Sequence, residues 1–422
     1  MKHPCRRLGV LTLGCTLALT LPAAARGSQE TAAVEAFSKN GPATDAISFS
    51  AADFRVTGGA ALSSIVIDTL PDPNAGVLTI GGQSLPMGSQ VSVTAVDGLR
   101  FTPLSSPMLS ATDFTFTPVF SDGQTGEAVT VGLFLLAEEN SAPVAQAIEL
   151  QTYKNVEVCG TFSGVDPDGD TLTYKLLSKP ARGAVTQAEE GSAAFVYTPY
   201  ENKTGRDAFT YVAVDPVGNT SAPATVSIRI EKQKSRVCYA DMAGVPGHRE
   251  AVRLAETGLL VGEQMGERYF FHPDQPVSRA QFTALAMSAA QVKALEGVTL
   301  TGFADDAAMD AWAKPFVSSA LKCGLIAGSL DAQGQVVFQA DEAITAAEAA
   351  VILDRALNVT DVADAFAAAP AWASQSASNL ASCGVLAADA RLDAVLTRAD
   401  AARLLSGALD VMAQRDSGWW PW

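Results

Sequence analysis

Between residues 46 and 138 the chain alternates apolar and polar positions in short runs, SSIVIDTL, GVLTI, QVSVTAV, LRFTP, DFTFTPVF and AVTVGLFLL, each broken by Pro, Gly, Asp or Asn. A period of two over such runs predicts strands with one buried face, and so many short strands predict a β-sandwich. After EENSAPVAQA the punctuation returns, with NVEVCGTF, DTLTYKLL, GAVTQ, AAFVYTP, DAFTYVAVD and ATVSIRI. The two stretches read as an internal repeat. Leu99-Arg100-Phe101-Thr102-Pro103 followed by Asp113-Phe114-Thr115-Phe116 parallels Phe195-Val196-Tyr197-Thr198-Pro199 followed by Asp207-Ala208-Phe209-Thr210-Tyr211. The expected boundaries are a linker over 26–45, a diverged sandwich over 46–140 and a second sandwich over 141–231.

Beyond EKQKSR (231–236), a short charged hinge, the apolar period lengthens to that of a helix. Three amphipathic stretches end on glycine: AVRLAETGLLVG (251–262), VSSALKCGLIAG (317–328) and SASNLASCGVLA (376–387). Glycine is the residue that takes a left-handed C-cap without strain. Each stretch leads through a loop to a second helix start, at Ser278-Arg279-Ala280-Gln281, Thr345-Ala346-Ala347-Glu348 and Thr397-Arg398-Ala399-Asp400. A hydroxyl followed three residues later by a carboxylate or amide is the capping-box signature. Helix, loop and capped helix therefore recur three times, over 237–295, 300–360 and 361–413, with an aromatic tail at 414–422.

Composition narrows the function. With 45 acidic against 29 basic residues, a net charge of -16 and a pI near 4.6, the chain is not a general binder of nucleic acid or anionic membrane. Residues 1–25 combine basic residues, an apolar run and small residues up to Ala25, which predicts a secretory leader cleaved after Ala25. A lipoprotein reading through Cys15 places the cysteine inside that apolar run. No later segment reaches the roughly 18 apolar residues a membrane span needs. The remaining Cys159, Cys238, Cys323 and Cys383 contain no C-x-x-C pair, which argues against zinc. Cys159 and Cys238 flank the second sandwich, and both a bridge and two separate thiols stay open. Cys323 and Cys383 hold matching places before a glycine and are expected as small buried packing residues.

The helical repeats resemble the S-layer homology domain, a family usually found in sets of three. Its pattern of aromatic-x-Asp, Trp-Ala, G-x-x-x-G, Phe-x-Pro and Thr-Arg-Ala-Glu is met in the first copy by Tyr239-Ala240-Asp241, Gly258 to Gly262, Phe271-His272-Pro273 and Ser278 to Gln281. The second copy has Phe303-Ala304-Asp305, Trp312-Ala313, Gly324 to Gly328, Phe338 and Thr345 to Glu348. The third keeps Trp372-Ala373, Cys383-Gly384-Val385 and Thr397 to Asp400. Departures are Ala346 in place of arginine, no tryptophan in the first copy, and no clear opening aspartate and a shortened loop in the third. The resemblance implies an all-α pseudo-threefold unit that binds pyruvylated secondary cell-wall polysaccharide and anchors the protein at the bacterial surface. Separately, DPDGDTLTY, FVYTP and DAFTYVAVD, within about 143–230, resemble bacterial cadherin-like and immunoglobulin-like modules. The expected fold is thus multidomain, with tandem all-β sandwiches followed by that helical unit.

Residues just inside a helix start lie beside unpaired amides and the positive dipole end, and arginine adds a planar fork that fits carboxylate. Arg279 and Arg398 are accordingly the candidate polysaccharide ligands, with Asp241, Asp305, Trp312 and Trp372 shaping grooves or touching sugar. Asp166, Asp168 and Asp170, in Asp166-Pro167-Asp168-Gly169-Asp170, are candidate calcium ligands, with an acidic β-turn as the alternative. No other cofactor is expected. The only histidines are His3, His248 and His272, and no hydrolase elbow, P-loop or zinc-protease pattern occurs, so a non-catalytic protein is expected. Two alternatives remain: an adhesin-like module whose β-domains bind an external glycan or protein, and a cryptic polysaccharide hydrolase.

Overall fold

The computed structural model describes residues 32–138, 140–363, 366, 369–387 and 390–416. The leader reading and the tryptophans of the tail lie outside the described residues. The chain divides into two units, Met1–Asn140 and Ser141–Trp422.

In the first unit a five-stranded sheet has the spatial order Phe37–Pro42, Val129–Leu136, Ala111–Phe120, Leu62–Thr69 and Gln90–Ser92. A four-stranded sheet has the order Ile47–Ser48, Leu99–Pro103, Gly76–Ile80 and Gln83–Ser84. Alternate residues of both sheets, among them Ile65, Leu78, Phe101, Phe114 and Phe116, close into one core. The segment expected to be a linker up to residue 45 instead supplies an edge strand: Phe37–Pro42 runs parallel to Val129–Leu136. Its sequence, FSKNGP, lacks apolar alternation because an edge strand can be held by the backbone ladder alone.

The second unit opens with another sandwich. Ile148–Tyr153, Ala224–Glu231, Gly205–Val214 and Thr173–Leu176 form one sheet, and Val158–Thr161, Ala194–Pro199 and Gly183–Gln187 the other. Here too the strand that comes first in the chain, Ile148–Tyr153, runs parallel to the one that comes last, Ala224–Glu231. The internal repeat extends to register, since Gly76 faces Pro103 and Gly183 faces Pro199. Each glycine admits an aromatic ring: a Cβ on Gly76 would lie 2.5 Å from Phe101, and one on Gly183 2.5 Å from Tyr197. Tyr197 cannot swing away, because its buried hydroxyl donates to Asp207 at 2.7 Å, and Asp207 also accepts the amides of Ala181 and Arg182.

Among the described residues six helices follow: α1 (His248–Thr257), α2 (Arg279–Ala289), α3 (Lys314–Lys322), α4 (Ala346–Leu357), α5 (Ser374–Ser382) and α6 (Arg398–Asp416). The part expected as all-α also carries two short ribbons, Glu263–Met265 with Arg268–Phe270 and Ser329–Leu330 with Val336–Val337. Residues 414–416 of the expected tail belong to α6. The first helix of each repeat is closed by a glycine in the left-handed region, Gly258, Gly324 and Gly384, at φ 73°, 70° and 70°. No helix among the described residues is long and apolar enough to cross a membrane.

One apolar cluster runs through the helices and takes in Tyr153 and Val156 of the second sandwich. The Tyr153 hydroxyl donates to Glu256, whose other oxygen accepts the amides of Lys234 and Ser235. Burial and the Glu256 carboxylate push the Tyr153 phenol up to about 12. The EKQKSR segment expected to act as a hinge is therefore pinned by Glu256. Cys159 and Cys238 carry free thiols, and Cys159 donates to the Gly244 carbonyl at 3.6 Å. Cys323 is exposed and Cys383 half-buried, because each sits at a helix C-cap, where the chain turns outward, rather than on the packed face.

Replacing Gly183 by alanine drives a methyl group into a ring that its hydrogen bond holds fixed. The variant is expected to lose about 1–3 kcal/mol of stability in urea unfolding. An unchanged midpoint would show that the sheet yields at this point.

Candidate functional site

The arginines are positioned by a closed ring of backbone hydrogen bonds. Val277 N–H donates to Leu396 C=O at 3.0 Å, Leu396 N–H to Ile344 C=O at 2.8 Å, and Ile344 N–H to Val277 C=O at 3.0 Å. These residues directly precede the three cap residues, and their side chains are buried. Two further rungs repeat the symmetry. Arg279, Ala346 and Arg398 donate their amides to Glu342, Ala394 and Gln275, each at 2.9 Å, and Ala280, Ala347 and Ala399 donate to Ala340, Leu392 and Pro273, each at 3.0 Å. The next amide of each helix is taken by its cap hydroxyl, Ser278, Thr345 or Thr397.

This corrects one premise of the sequence reading. The first amides of α2, α4 and α6 are all paired within the protein, so no unpaired N–H group waits at the helix start for an anion. What remains available is the side chain.

Each arginine lies across the next repeat's loop. The Arg398 guanidinium sits 5.0 Å from the centre of the Phe271 ring, and its Nε donates to the Phe271 carbonyl at 2.6 Å. Its two terminal nitrogens have no protein partner among the described residues. Burial pulls Arg398 below its ordinary range, while the nearby Tyr239 and Asp241 act in the opposite direction. Arg279 repeats the arrangement on the second loop, 5.3 Å from the Phe338 ring with Nε on the Phe338 carbonyl at 2.9 Å. It differs at the fork, where a terminal nitrogen pairs with Glu348. At the third position Ala346 faces a loop in which Ala390 holds the place of Phe271 and Phe338, so arginine and aromatic platform are both missing.

Asp241 and Asp305 act one step back from this surface. Asp241 accepts the amides of Phe271 and His272 at 2.9 and 2.7 Å, and Asp305 those of Phe338 and Gln339 at 3.0 and 2.7 Å. Each pair of bonds clamps a turn whose second residue is left-handed, His272 at φ 55° and Gln339 at φ 60°. The aspartates thus hold the aromatic platforms in place. Trp312 and Trp372 stand 47% and 62% exposed just before α3 and α5. The Trp312 indole donates to Asp310.

The acidic turn also differs from the sequence expectation. Asp166 accepts the amides of Asp168 and Asp170 through Oδ1, while its Oδ2 is closed off from solvent without a partner. One carboxylate oxygen from each of Asp166, Asp170 and Asp215 lies within 4.8 Å of the others. Asp168 points elsewhere, accepting the Ser141 amide at 2.6 Å. Burial and the carboxylates of Asp166, Asp215 and Asp168 push Asp170 above the usual carboxylate range. Sequence reasoning missed Asp215, although Val214-Asp215-Pro216-Val217-Gly218-Asn219-Thr220 repeats the pattern of Val165-Asp166-Pro167-Asp168-Gly169-Asp170-Thr171. Carboxylates gathered in this way are hard oxygen donors of the kind that could hold a metal ion.

A cleft of about 1970 Å³ also lies between the second sandwich and the α1 and α6 region, but no candidate site residue lines it.

Residues 140–229 match the family model of a bacterial Ig domain. No curated protein matches the chain. Among solved structures, the Clostridium thermocellum CbhA fibronectin(III)-like modules are 12% identical at a TM-score of 0.21, covering 50% of this chain and 98% of that one. The human mucin-like protocadherin EC1-2 is 14% identical at 0.19, over 48% and 98%. A variant of the SrpA adhesin from Streptococcus sanguinis is 15% identical at 0.19, over 29% and 81%. Likeness at these TM-scores carries no argument about the helical half or about function.

Replacing Asp241 by alanine leaves the Phe271 and His272 amides without their acceptor. A loss of about 2 kcal/mol or more in urea unfolding is expected, with Asp241→Asn, which keeps one carbonyl oxygen, recovering part of it. Equal stability of all three proteins would remove the clamp assignment.

Proposed function

We propose that the chain is a non-catalytic bacterial surface protein whose helical half, an S-layer homology-like unit, anchors it to pyruvylated secondary cell-wall polysaccharide. The observation that carries this reading is the Arg398 fork. It is half-buried, held by Phe271 on one side, and presents two terminal nitrogens with no protein partner among the described residues. A dehydrated guanidinium is most favourably completed by an anion, and a planar carboxylate accepts both nitrogens in parallel. A pyruvate ketal puts such a carboxylate on a sugar, and exposed tryptophan faces suit saccharide rings. Strong negative charge elsewhere does not oppose this, because a bidentate contact acts at hydrogen-bond range. The bacterial Ig domain at 140–229 supports an extracellular setting in which the β-modules project as adhesin-like elements.

A second proposal concerns the sandwich within that surface protein. Asp166, Asp170 and Asp215 would hold Ca²⁺, which supplies positive charge between three carboxylates that otherwise repel one another. The support is the orphaned Asp166 Oδ2, a buried acceptor that no protein group satisfies.

For the anchor, the full chain should sediment with purified wall sacculi and stay in solution after the pyruvyl groups are removed. Arg398→Ala should weaken binding about 10- to 100-fold, the loss of a charge-assisted hydrogen-bonded contact. Equal sedimentation of pyruvyl-free walls would overturn the reading. For calcium, a hundredfold excess over Kd should add about 2.7 kcal/mol of stability. Asp170→Asn should abolish that gain yet raise the melting temperature without calcium, because one like charge is gone. A melting curve indifferent to Ca²⁺ rules the ion out.

A further inference from the structure

The first residues of α1, α3 and α5 hold matching places in the three repeats, and they are His248, Lys314 and Ser374. Lys314 pairs there with Asp306 at 2.8 Å. His248 is placed differently, because the second sandwich closes over the start of α1. Glu157 accepts the Gly244 amide, the Cys159 thiol donates to the Gly244 carbonyl, and Arg249 donates to Gln151 at 3.3 Å. Under these contacts His248 is only 7% exposed. Both of its ring nitrogens are closed off from solvent and have no partner among the described residues. A neutral imidazole calls for one donor and one acceptor, so closing this junction leaves both bonds unmade.

We propose that the junction between the second sandwich and the helical half is an acid-released lock, with His248 as its trigger. A proton on the enclosed imidazole would put a cation where water does not reach it, and at the positive end of the α1 dipole. The charged groups around the ring are Glu157 from the sandwich, Asp241 from the loop before α1, Arg249 and Glu250 from α1 itself, and Arg403 from α6. The three carboxylates favour a charged ring, yet each is engaged elsewhere. Glu157 accepts the Gly244 amide and the Thr198 hydroxyl, Glu250 pairs with Arg249 at 3.1 Å, and Asp241 holds the Phe271 and His272 amides. Burial outweighs them and pulls His248 below its ordinary value, while burial pushes the neighbouring Cys159 thiol up. Opening the junction therefore takes up a proton, and acid favours the open state. The effect is absent well above the solvated histidine value of about 6.5, and opening gains about tenfold per pH unit below it until the enclosed ring also protonates. Opening parts Tyr153 from Glu256, and EKQKSR then serves as a swivel.

The test is amide hydrogen exchange of the full chain at about pH 7.5 and about pH 5.5, corrected for the pH dependence of the chemical exchange step. The Gly244 amide, which donates to Glu157 across the junction, reports opening. The Ile228 amide inside the sheet and the Leu353 amide in α4 report the folded parts on either side. Between the two conditions the opening constant at Gly244 should rise about tenfold in the native protein, with no such rise at Ile228 or Leu353. His248→Phe cannot take a proton and should lose the rise. His248→Gln, equally unable to titrate but smaller and polar, serves as the second variant in case the phenyl ring does not pack. No rise at Gly244 in the native protein, a rise of the same size in a folded His248 variant, or an equal rise at Ile228 and Leu353 would each overturn the lock.

Discussion

Three backbone hydrogen bonds, from Val277 to Leu396, from Leu396 to Ile344 and from Ile344 to Val277, fix everything that happens on the surface of the helical half. Each joins residues that are far apart in sequence, and each repeat both gives and receives, so no repeat can complete its inner edge alone. The ring brings each N-terminal helical residue against the following repeat's loop, which puts the guanidiniums of Arg279 and Arg398 over the Phe338 and Phe271 rings. Removing one repeat would leave two unpaired edges.

Closure has a chemical consequence. The ring and its outer rungs use up the amides that open α2, α4 and α6, so the helix ends contribute little to anion binding beyond a distant dipole. The differences among the repeats then lie in side chains, where single residues vary on a common backbone. Arg279 and Arg398, with the same stacking and the same bond through Nε, differ only in what meets the fork. A symmetric scaffold thus supports asymmetric chemistry without any change of fold.

Much of this was legible along the chain. The Ser278, Thr345 and Thr397 caps follow from local spacing, and the paired aromatics Phe101 with Tyr197 and Phe116 with Tyr211 follow from period-two alternation. What the sequence could not show are contacts whose partners lie in another repeat. The Arg279–Glu348 pair spans 69 residues, and Glu348 looks like an ordinary capping-box residue until the ring brings it beside the arginine. The sequence marks Asp241 and Asp305 as residues that shape grooves or touch sugar, and only the folded turn shows two amides aimed at each carboxylate. Asp215 was hidden for the same reason, its loop meeting the Asp166 turn only once the sheet forms. The edge strand Phe37–Pro42 left no hydrophobic trace at all, since a ladder of amides and carbonyls needs none.

The parallel pairing of Ile148–Tyr153 with Ala224–Glu231 bears on how the second sandwich carries a load. Because the first and last strands of the second sandwich point the same way, the chain enters at one end of the module and leaves at the other. A pull along the chain then loads six residue pairs together in shear, where an antiparallel hairpin would open pair by pair like a zip. Tension along the chain would therefore meet the whole ladder at once, and the module would act as a stiff element in the chain rather than as an extensible one.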